Sequence, residues 1–171
     1  MSILIINGSA NPNSKTDILC NYLAKQLSSC EYLDLRLIDV PRCGSKLSSL
    51  ETNVVKDFND KIKSASGVII CTPIYGQFFS GLIKDFFDLV STLKLKPVLL
   101  CETLATEKSS LAIQNISNYF LFGHGAFVFP KFLMVQDVLI SDSANFDEPL
   151  EKRIKNTLSL FETFVKQRLG E

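Results

Sequence analysis

The sequence predicts one doubly wound α/β domain, in which a five-stranded parallel sheet carries helices on both faces. Short apolar runs alternate along the chain with stretches of helical periodicity. The apolar runs are rich in Val, Ile and Leu and alternate little with polar residues, which is typical of strands buried on both faces. No linker, repeat or low-complexity segment interrupts this pattern, so we expect residues 1–171 to form a single domain.

Five segments are predicted as strands. The first is "SILII", which is too short for a helix. The second, "YLDLRLI", alternates Leu with polar residues, which places it nearer an edge of the sheet with Asp34 and Arg36 facing solvent. Pro73 is expected to end the third strand. In order, the predicted strands cover residues 2–6, 32–38, 67–71, 97–101 and 126–129, the last continuing toward Leu133.

A helix is predicted after each strand, as right-handed crossovers between parallel strands require. The apolar residues of these segments recur every three or four positions. The third helix is unusually apolar, and its phenylalanines make it the predicted contact between subunits. The predicted helices cover approximately residues 14–28, 50–65, 80–93, 109–122 and 148–168.

Composition excludes several classes of function. The 18 basic and 18 acidic residues cancel, so no overall field attracts nucleic acid or an anionic membrane. The apolar runs are far shorter than the roughly 20 residues that span a bilayer, and no basic residues precede "SILII" as in a signal peptide. The five cysteines form no CxxC pair and predict a reduced, cytoplasmic setting. A single histidine makes a zinc site unexpected.

The first candidate site is "GSANPNSKT", residues 8–16, between the first strand and the first helix. In doubly wound sheets, ligands bind beyond the carboxyl ends of the strands. A helix N-terminus presents unpaired N–H groups that suit a phosphate, and this loop adds hydroxyl and amide groups and Lys15. The simpler alternative is a polar turn with Asn13 or Ser14 as helix cap. Taken alone, the segment leaves both interpretations open.

The second candidate site is "TPIYGQFFSGLIKDFFD", residues 72–88, after the third strand. Tyr75 and Gly76 place an aromatic ring beside a flexible backbone position. Such a loop is suited to flank a flat heteroaromatic ring while N–H groups reach its polar edge. The alternative is that the phenylalanines only fill the core or a subunit contact, and for Phe86 and Phe87 this is the favoured interpretation.

These two segments resemble NAD(P)H-dependent FMN reductases. Residues 72–88 match that family's pattern T-P-x-Y-x-x-x-x-x-G-x-(L/I)-K-x-x-x-D, and residues 8–16 match its opening G-S-x-R-x-x-S-x-(S/T) except at Asn11. The resemblance implies a flavodoxin-like three-layer sandwich with strand order 2-1-3-4-5. It also implies FMN as cofactor, NADPH or NADH as electron donor, and a homodimer or homotetramer. Reduced flavin would pass to a partner monooxygenase, or electrons to a small acceptor such as a quinone or azo dye.

By matching positions, the resemblance assigns the FMN contacts to three segments. The first loop would hold the phosphate, the second would flank the isoalloxazine ring, and the residues after "PVLLC" would border its far edge. In chain order, the implied cofactor-binding residues are Ser9, Asn11, Ser14, Lys15, Thr16, Pro73, Ile74, Tyr75, Gly76, Glu102, Thr103, Leu104 and Ala105.

No catalytic side chain is predicted. The sequence offers no Ser-His-Asp, Cys-His or paired-carboxylate arrangement, and hydride transfer between stacked rings needs orientation and water exclusion more than an acid or base. His124, between two glycines, is expected to have a structural role. Lys84 and Asp88 are four residues apart on a helix and are expected to form an ion pair.

Two departures from the family pattern bear on the function. Asn11 replaces an arginine, and "ETLATEKSS", residues 102–110, replaces a glycine-rich loop. Both changes favour loose binding of FMN as a substrate over permanent binding. An FMN-retaining quinone or azo reductase is one alternative. A non-catalytic flavodoxin-like electron carrier or binding module is another, although the balanced charge counts against an acidic carrier.

Overall fold

A computed structural model describes residues 1–44, 53–90, 93–105 and 111–170. A central sheet has the order β2-β1-β3-β5-β6, and these neighbours are all parallel. A further strand, β7, continues the pairing along β5, while β4 pairs antiparallel with the end of β3. The strands are β1 Ile3–Asn7, β2 Cys30–Asp34, β3 Gly67–Tyr75, β4 Phe78–Phe79, β5 Pro97–Leu104, β6 Phe127–Val128 and β7 Leu133–Gln136.

Helices cover both faces of the sheet. One core lies between the sheet and α1 with α5, and the other lies between the sheet and α2, α3 and α4. None of the helices in the described ranges is long and apolar enough to cross a membrane. The helices are α1 Lys15–Gln26, α2 Asn53–Ser64, α3 Gly81–Leu89, α4 Leu111–Asn118, which continues as a π-helical turn to Gly123, and α5 Glu148–Leu169.

The predicted three-layer sandwich is confirmed. The predicted order 2-1-3-4-5 is also confirmed, because the predicted fourth strand is β5 and the predicted fifth begins as β6, and this order is that of flavodoxin-like folds. The prediction of five strands was too low. The predicted fifth strand consists of β6 and β7, which pair with the beginning and the end of β5. The hairpin strand β4 was not predicted because it is only two residues long. The predicted helical positions 50–52, 91–92 and 109–110 lie outside the described residues.

The second strand is shorter than predicted. It ends at Asp34, and residues 35–37 form a 3-10 turn. The Asp34 carboxylate accepts a hydrogen bond of 3.0 Å from the Arg36 N–H, which caps the turn and stops the strand. Leu35 is buried, whereas Leu37 is 84% exposed. The apparent alternation of Leu therefore spanned a strand and a turn.

The third strand is longer than predicted, because Pro73 does not end it. The Cys71 carbonyl faces β1, where it accepts the Gly8 N–H at 2.8 Å. Pro73 is two residues further along, so its nitrogen faces the same side, beyond the last β1–β3 pair at Asn7 and Cys71. A missing N–H disrupts no ladder there, and pairing with β5 continues to Thr103.

The phenylalanines of α3 belong to the core of this chain. Phe86 and Phe87 are fully buried, as is Ile83. On the outer face, Lys84 and Asp88 form the predicted ion pair. The apolar side of α3 is therefore occupied within the domain, so these phenylalanines are not available for a subunit contact, and a contact through the rest of the helix stays a prediction.

Candidate functional site

The carboxyl ends of β1, β3 and β5 surround a cleft of about 210 Å³. Ten of the thirteen predicted binding residues line it. The three predicted residues that do not line the cleft are Gly76, Glu102 and Leu104. Asn13 and Asp137 line it although they were not predicted. The lining residues are Ser9, Asn11, Asn13, Ser14, Lys15, Thr16, Pro73, Ile74, Tyr75, Thr103, Ala105 and Asp137.

The first loop is shaped by its own polar side chains. Asn7 Oδ1 accepts the Ser9 N–H at 3.1 Å, and Ser9 Oγ accepts the Asn11 N–H at 3.2 Å. Asn11 Oδ1 then accepts the Asn13 N–H at 2.9 Å. Three successive turns of this kind fold the backbone without a sheet or helix partner. The run of small polar residues thus determines the conformation of the loop.

The beginning of α1 closes one side of the cleft. Ser14 is its N-cap, because Ser14 Oγ accepts the Asp17 N–H at 3.1 Å. The N–H groups of Lys15 and Thr16 belong to the first helical turn, where no intrahelical acceptor exists, so they can bind an anion. The predicted cap at Ser14 is confirmed, and it leaves these N–H groups available for the predicted anion.

Gly8 allows the loop to start against α3. A Cβ atom at this position would lie 2.1 Å from Ile83 Cγ1, which is far inside van der Waals contact. The Gly8 carbonyl also accepts a hydrogen bond of 2.5 Å from Ser80 Oγ, at the N-cap of α3. Absence of a side chain thus permits a close backbone approach that joins the first and second loops.

The second loop is a tight hairpin between β3 and β4. Its two central residues, Gly76 and Gln77, have φ of +56° and +66°, the signs of a type I′ turn. The flanking Tyr75 and Phe78 face each other across the strands, and they are 57% and 42% exposed. The hairpin therefore presents aromatic surface beside the cleft.

A buried charge network lies beneath the first loop. The Arg36 guanidinium pairs with Asp34 at 2.5 Å and with Asp17 at 2.9 Å. It also donates to the carbonyl oxygens of Asn11 and Pro12, at 3.3 Å and 3.4 Å. The prediction that Asp34 and Arg36 face solvent was wrong, because the strand ends at Asp34 and the following turn swings Arg36 under the loop.

This network is the feature that sequence reasoning missed. The Asp34 carboxylate also accepts a hydrogen bond of 3.2 Å from Asn7 Nδ2, so one residue on each of β1 and β2 supports the loop. The Asp34 side chain is only 7% exposed. Asn7 and Asp34 are the last residues of β1 and β2 and pair in register, so the contact could be predicted only once these strands had been assigned as neighbours with the correct ends.

Lys15 brings positive charge to the opening of the cleft. Its ammonium group pairs with Asp142 at 2.6 Å and lowers the pKa of that carboxyl. Partial burial raises the pKa of Asp137, the one carboxylate among the described lining residues. Within the described ranges, no three His, Cys, Asp or Glu side chains converge as metal ligands would.

The segment after the predicted fourth strand is still strand through Leu104. Thr103 faces the cleft, and its hydroxyl lies 2.6 Å from the Thr16 hydroxyl. Glu102 and Leu104 alternate with Thr103, so their side chains point to the other face, where both are buried. The prediction of a loop at 102–104 was wrong, and residues 106–110 of that predicted loop lie outside the described residues.

Glu102 has an unusual environment for a carboxyl group. It is fully buried, and neither carboxyl oxygen has a hydrogen-bond partner among the described residues. Burial raises its pKa to about 7. The side chain therefore carries its proton over much of the acidic pH range.

Comparisons with known proteins identify the family of this chain. The family model described as NADPH-dependent FMN reductase matches residues 1–138. An NADPH azoreductase from Bacillus sp. (strain OY1-2) is 28% identical over 178 aligned residues, which cover 99% of both chains. The FMN reductase (NADPH) of Pseudomonas aeruginosa is 25% identical over 160 residues, covering 90% of this chain and 86% of that protein.

Solved structures show the same fold. The flavoenzyme NAD(P)H:(acceptor) oxidoreductase FerB from Paracoccus denitrificans superposes with a TM-score of 0.82 at 20% identity, covering 98% of each chain. The family model alone covers most of the sequence, including both loops of the site. The chain therefore belongs to the family of NADPH-dependent FMN reductases, as its two loop motifs predicted.

Proposed function

We propose that this chain transfers hydride from NADPH or NADH to FMN held at the cleft. The observation that supports the proposal is the position of two features relative to each other. An anion-binding helix start, lined by hydroxyl and amide groups, lies at the same sheet edge as an exposed aromatic hairpin. A phosphate monoester joined to a flat heteroaromatic ring requires these two chemistries side by side.

The residues present fit the phosphate end of FMN. Hydroxyl groups of Ser9, Ser14 and Thr16 line the cleft beside the open N–H groups of the first turn of α1. Asn11 and Lys15 line the same space, and Lys15 supplies the positive charge. The positive end of the α1 dipole adds to this attraction. We therefore assign the phosphate to these five residues.

The ring end is assigned to the second loop and the end of β5. Pro73, Ile74 and Tyr75 line the cleft, and Gly76 forms the tip of the adjoining hairpin. On the far edge, residues 102–105 contribute differently along the strand. Thr103 and Ala105 line the cleft, whereas Glu102 and Leu104 are turned away and offer only backbone groups.

When bound, FMN supplies the hydride acceptor, and the chain supplies position and environment. Tyr75 and the proline and isoleucine before it form an apolar wall that excludes water from one side of the ring. The hydrogen-bonded first loop holds its donors in place before the ligand arrives, which lowers the entropy lost on binding. No side chain needs to act as acid or base in this scheme.

We propose that FMN exchanges with solvent. Small-molecule sites usually enclose roughly 300–1,000 Å³, and the cleft of about 210 Å³ encloses less. Reduced flavin would then be released to a partner monooxygenase. The nearly full-length likeness to an NADPH azoreductase favours a second candidate, in which retained FMN reduces an azo dye or quinone. The five free cysteines support a reducing, cytoplasmic setting, and the family resemblance supports a homodimer or homotetramer.

The test is oxidation of NADPH and NADH by purified protein, with and without added FMN, followed by an absorbance spectrum after gel filtration. FMN-dependent oxidation with flavin lost on the column supports the flavin-releasing reductase. Retained flavin with azo or quinone reduction supports the second candidate, and absence of nucleotide oxidation overturns both. Elution volume in the same run reports the oligomeric state.

A pair of aromatic variants tests the assignment of the ring. We expect Tyr75→Ala to weaken FMN binding about tenfold, because stacking and covered area together contribute on the order of 1–1.5 kcal/mol. Phe122→Ala is the matched control, since Phe122 is 80% exposed and lies outside the residues lining the cleft. Equal affinities for both variants would contradict the assigned ring position.

A further inference from the structure

Carboxylates surround the cation at the phosphate end of the cleft. Lys15 is the single cation among the described lining residues. Its ammonium lies 2.6 Å from Asp142 Oδ1, and Asp137 lines the same cleft. The Asp142 side chain is 93% exposed, so it is free to move when a ligand arrives. The charge of Lys15 is thus already balanced within the protein.

The second cation near the loop is also balanced. Arg36 is 18% exposed, and its guanidinium is held by Asp34 and Asp17. Its remaining contacts are to the backbone carbonyls of Asn11 and Pro12. Among the described residues around the first loop, two cations, Lys15 and Arg36, therefore lie near four carboxylates, those of Asp17, Asp34, Asp137 and Asp142. The contacts of Arg36 support the backbone of the loop.

This balance affects a phosphate monoester more than an uncharged ligand. A dianion that approaches Lys15 must compete with Asp142 for the ammonium group and meets the field of Asp137. The helix dipole and neutral donors still attract it, so binding persists, but the net electrostatic gain is small. An uncharged hydroxyl at the same point meets no such competition.

We propose that the Asp142–Lys15 ion pair lowers the preference of this site for FMN over riboflavin about two- to fivefold, because the phosphate must compete with Asp142 for the ammonium group. The proposal rests on the assignment of the cleft to flavin. It identifies Asp142 as a residue that lowers selectivity for the phosphorylated flavin by occupying Lys15.

The test compares dissociation constants of FMN and riboflavin for the full-length chain and its variants, measured by flavin fluorescence. For the wild type, the ratio of the two constants gives the reference preference for FMN. Exposed ion pairs contribute roughly 0.2–1 kcal/mol, so Asp142→Asn should tighten FMN about two- to fivefold and leave riboflavin unchanged. Asp60→Asn, on the exposed side of α2 across the sheet, makes the same charge change as a control and should alter neither constant.

A double variant locates the effect. In Lys15→Met/Asp142→Asn, the gain in FMN affinity seen for Asp142→Asn should disappear, because the freed ammonium group is gone. Unchanged or weaker FMN binding by Asp142→Asn, or equal tightening of both flavins, overturns the proposal. Binding of neither flavin overturns the assignment of the cleft as well.

Discussion

The hydroxyl groups of Thr16 and Thr103 lie 2.6 Å apart and join the first turn of α1 to the carboxyl end of β5. Thr16 is 1% exposed and Thr103 is 2% exposed, so water does not compete for this hydrogen bond. The contact spans 87 residues of sequence. It holds the start of α1 at a set distance from the far edge of the cleft.

We expect either Thr16→Val or Thr103→Val to lower the free energy of unfolding by about 1–2 kcal/mol, because each leaves a buried hydroxyl without its partner. The double variant should lose less than the sum of the two single variants, since both polar groups are then removed together. Urea denaturation of the four proteins measures this coupling. Additive losses would show that the two hydroxyls do not stabilise each other.

The close approach at Gly8 predicts a large effect from one methyl group. Gly8→Ala places a Cβ atom 2.1 Å from Ile83 Cγ1 and 3.2 Å from the Cys71 carbonyl oxygen, so the loop or α3 must move. We expect the free energy of unfolding to fall by about 1–3 kcal/mol, with weaker flavin binding.

Gly81→Ala is the matched control, because nothing lies within 4 Å of a Cβ at that position in the first turn of α3. Removing a glycine from a helix should raise stability by up to about 1 kcal/mol. Thermal melts of both variants give the comparison, and equal shifts in Tm would rule out the clash at Gly8.

Buried Glu102 predicts a pH dependence of stability. Its folded-state pKa of about 7 lies above the usual value of 4.5 for a glutamate, so the unfolded chain releases this proton first as the pH rises. The contribution of Glu102 to the free energy of unfolding is therefore fully present below pH 4.5. It falls as the pH rises to about 7 and is absent above that pH. Each pKa unit corresponds to about 1.4 kcal/mol, which gives a loss of about 3 kcal/mol.

Glu102→Gln removes the ionisation and keeps the shape of the side chain. Urea unfolding at pH 4.5 and pH 8 should show a smaller loss of stability for this variant than for the wild type, because the other titrating groups are common to both. Parallel pH profiles would show that Glu102 ionises normally, with a partner that satisfies its charge.

The network under the first loop predicts that Asp34, which is not among the residues lining the cleft, affects both stability and flavin binding. Asp34→Asn removes the carboxylate closest to the Arg36 guanidinium, and the Arg36 side chain is only 18% exposed. We expect a loss of about 2–4 kcal/mol in the free energy of unfolding. FMN affinity should also fall, because Arg36, then paired only with Asp17, would hold the Asn11 and Pro12 carbonyls less firmly. Asp39→Asn, an exposed change nearby, should alter neither quantity by more than about 0.5 kcal/mol.

Much of this protein could be predicted from local patterns. Helix α1 begins after Ser14 and α5 spans Glu148–Leu169, close to the predicted ranges, because capping groups and apolar periodicity act over a few residues. The parallel sheet followed from the alternation of strands and helices, and the strand order followed from the resemblance to FMN reductases. Both loops of the site were located in the same way, since carboxyl ends of neighbouring parallel strands meet at one edge.

Other features depend on contacts between distant segments. Whether Pro73 ended a strand depended on which side its nitrogen faced and where β1 stopped. Whether Glu102 or Thr103 reached the cleft depended on the pleat of β5, and whether Arg36 faced water depended on a turn that Asp34 caps. The sequence by itself determined the layers, the parallel sheet and the two loops that line the cleft. Only the tertiary structure decided which side chains enter the cleft and which charges neutralise each other, because these depend on long-range register and desolvation that local periodicity does not encode.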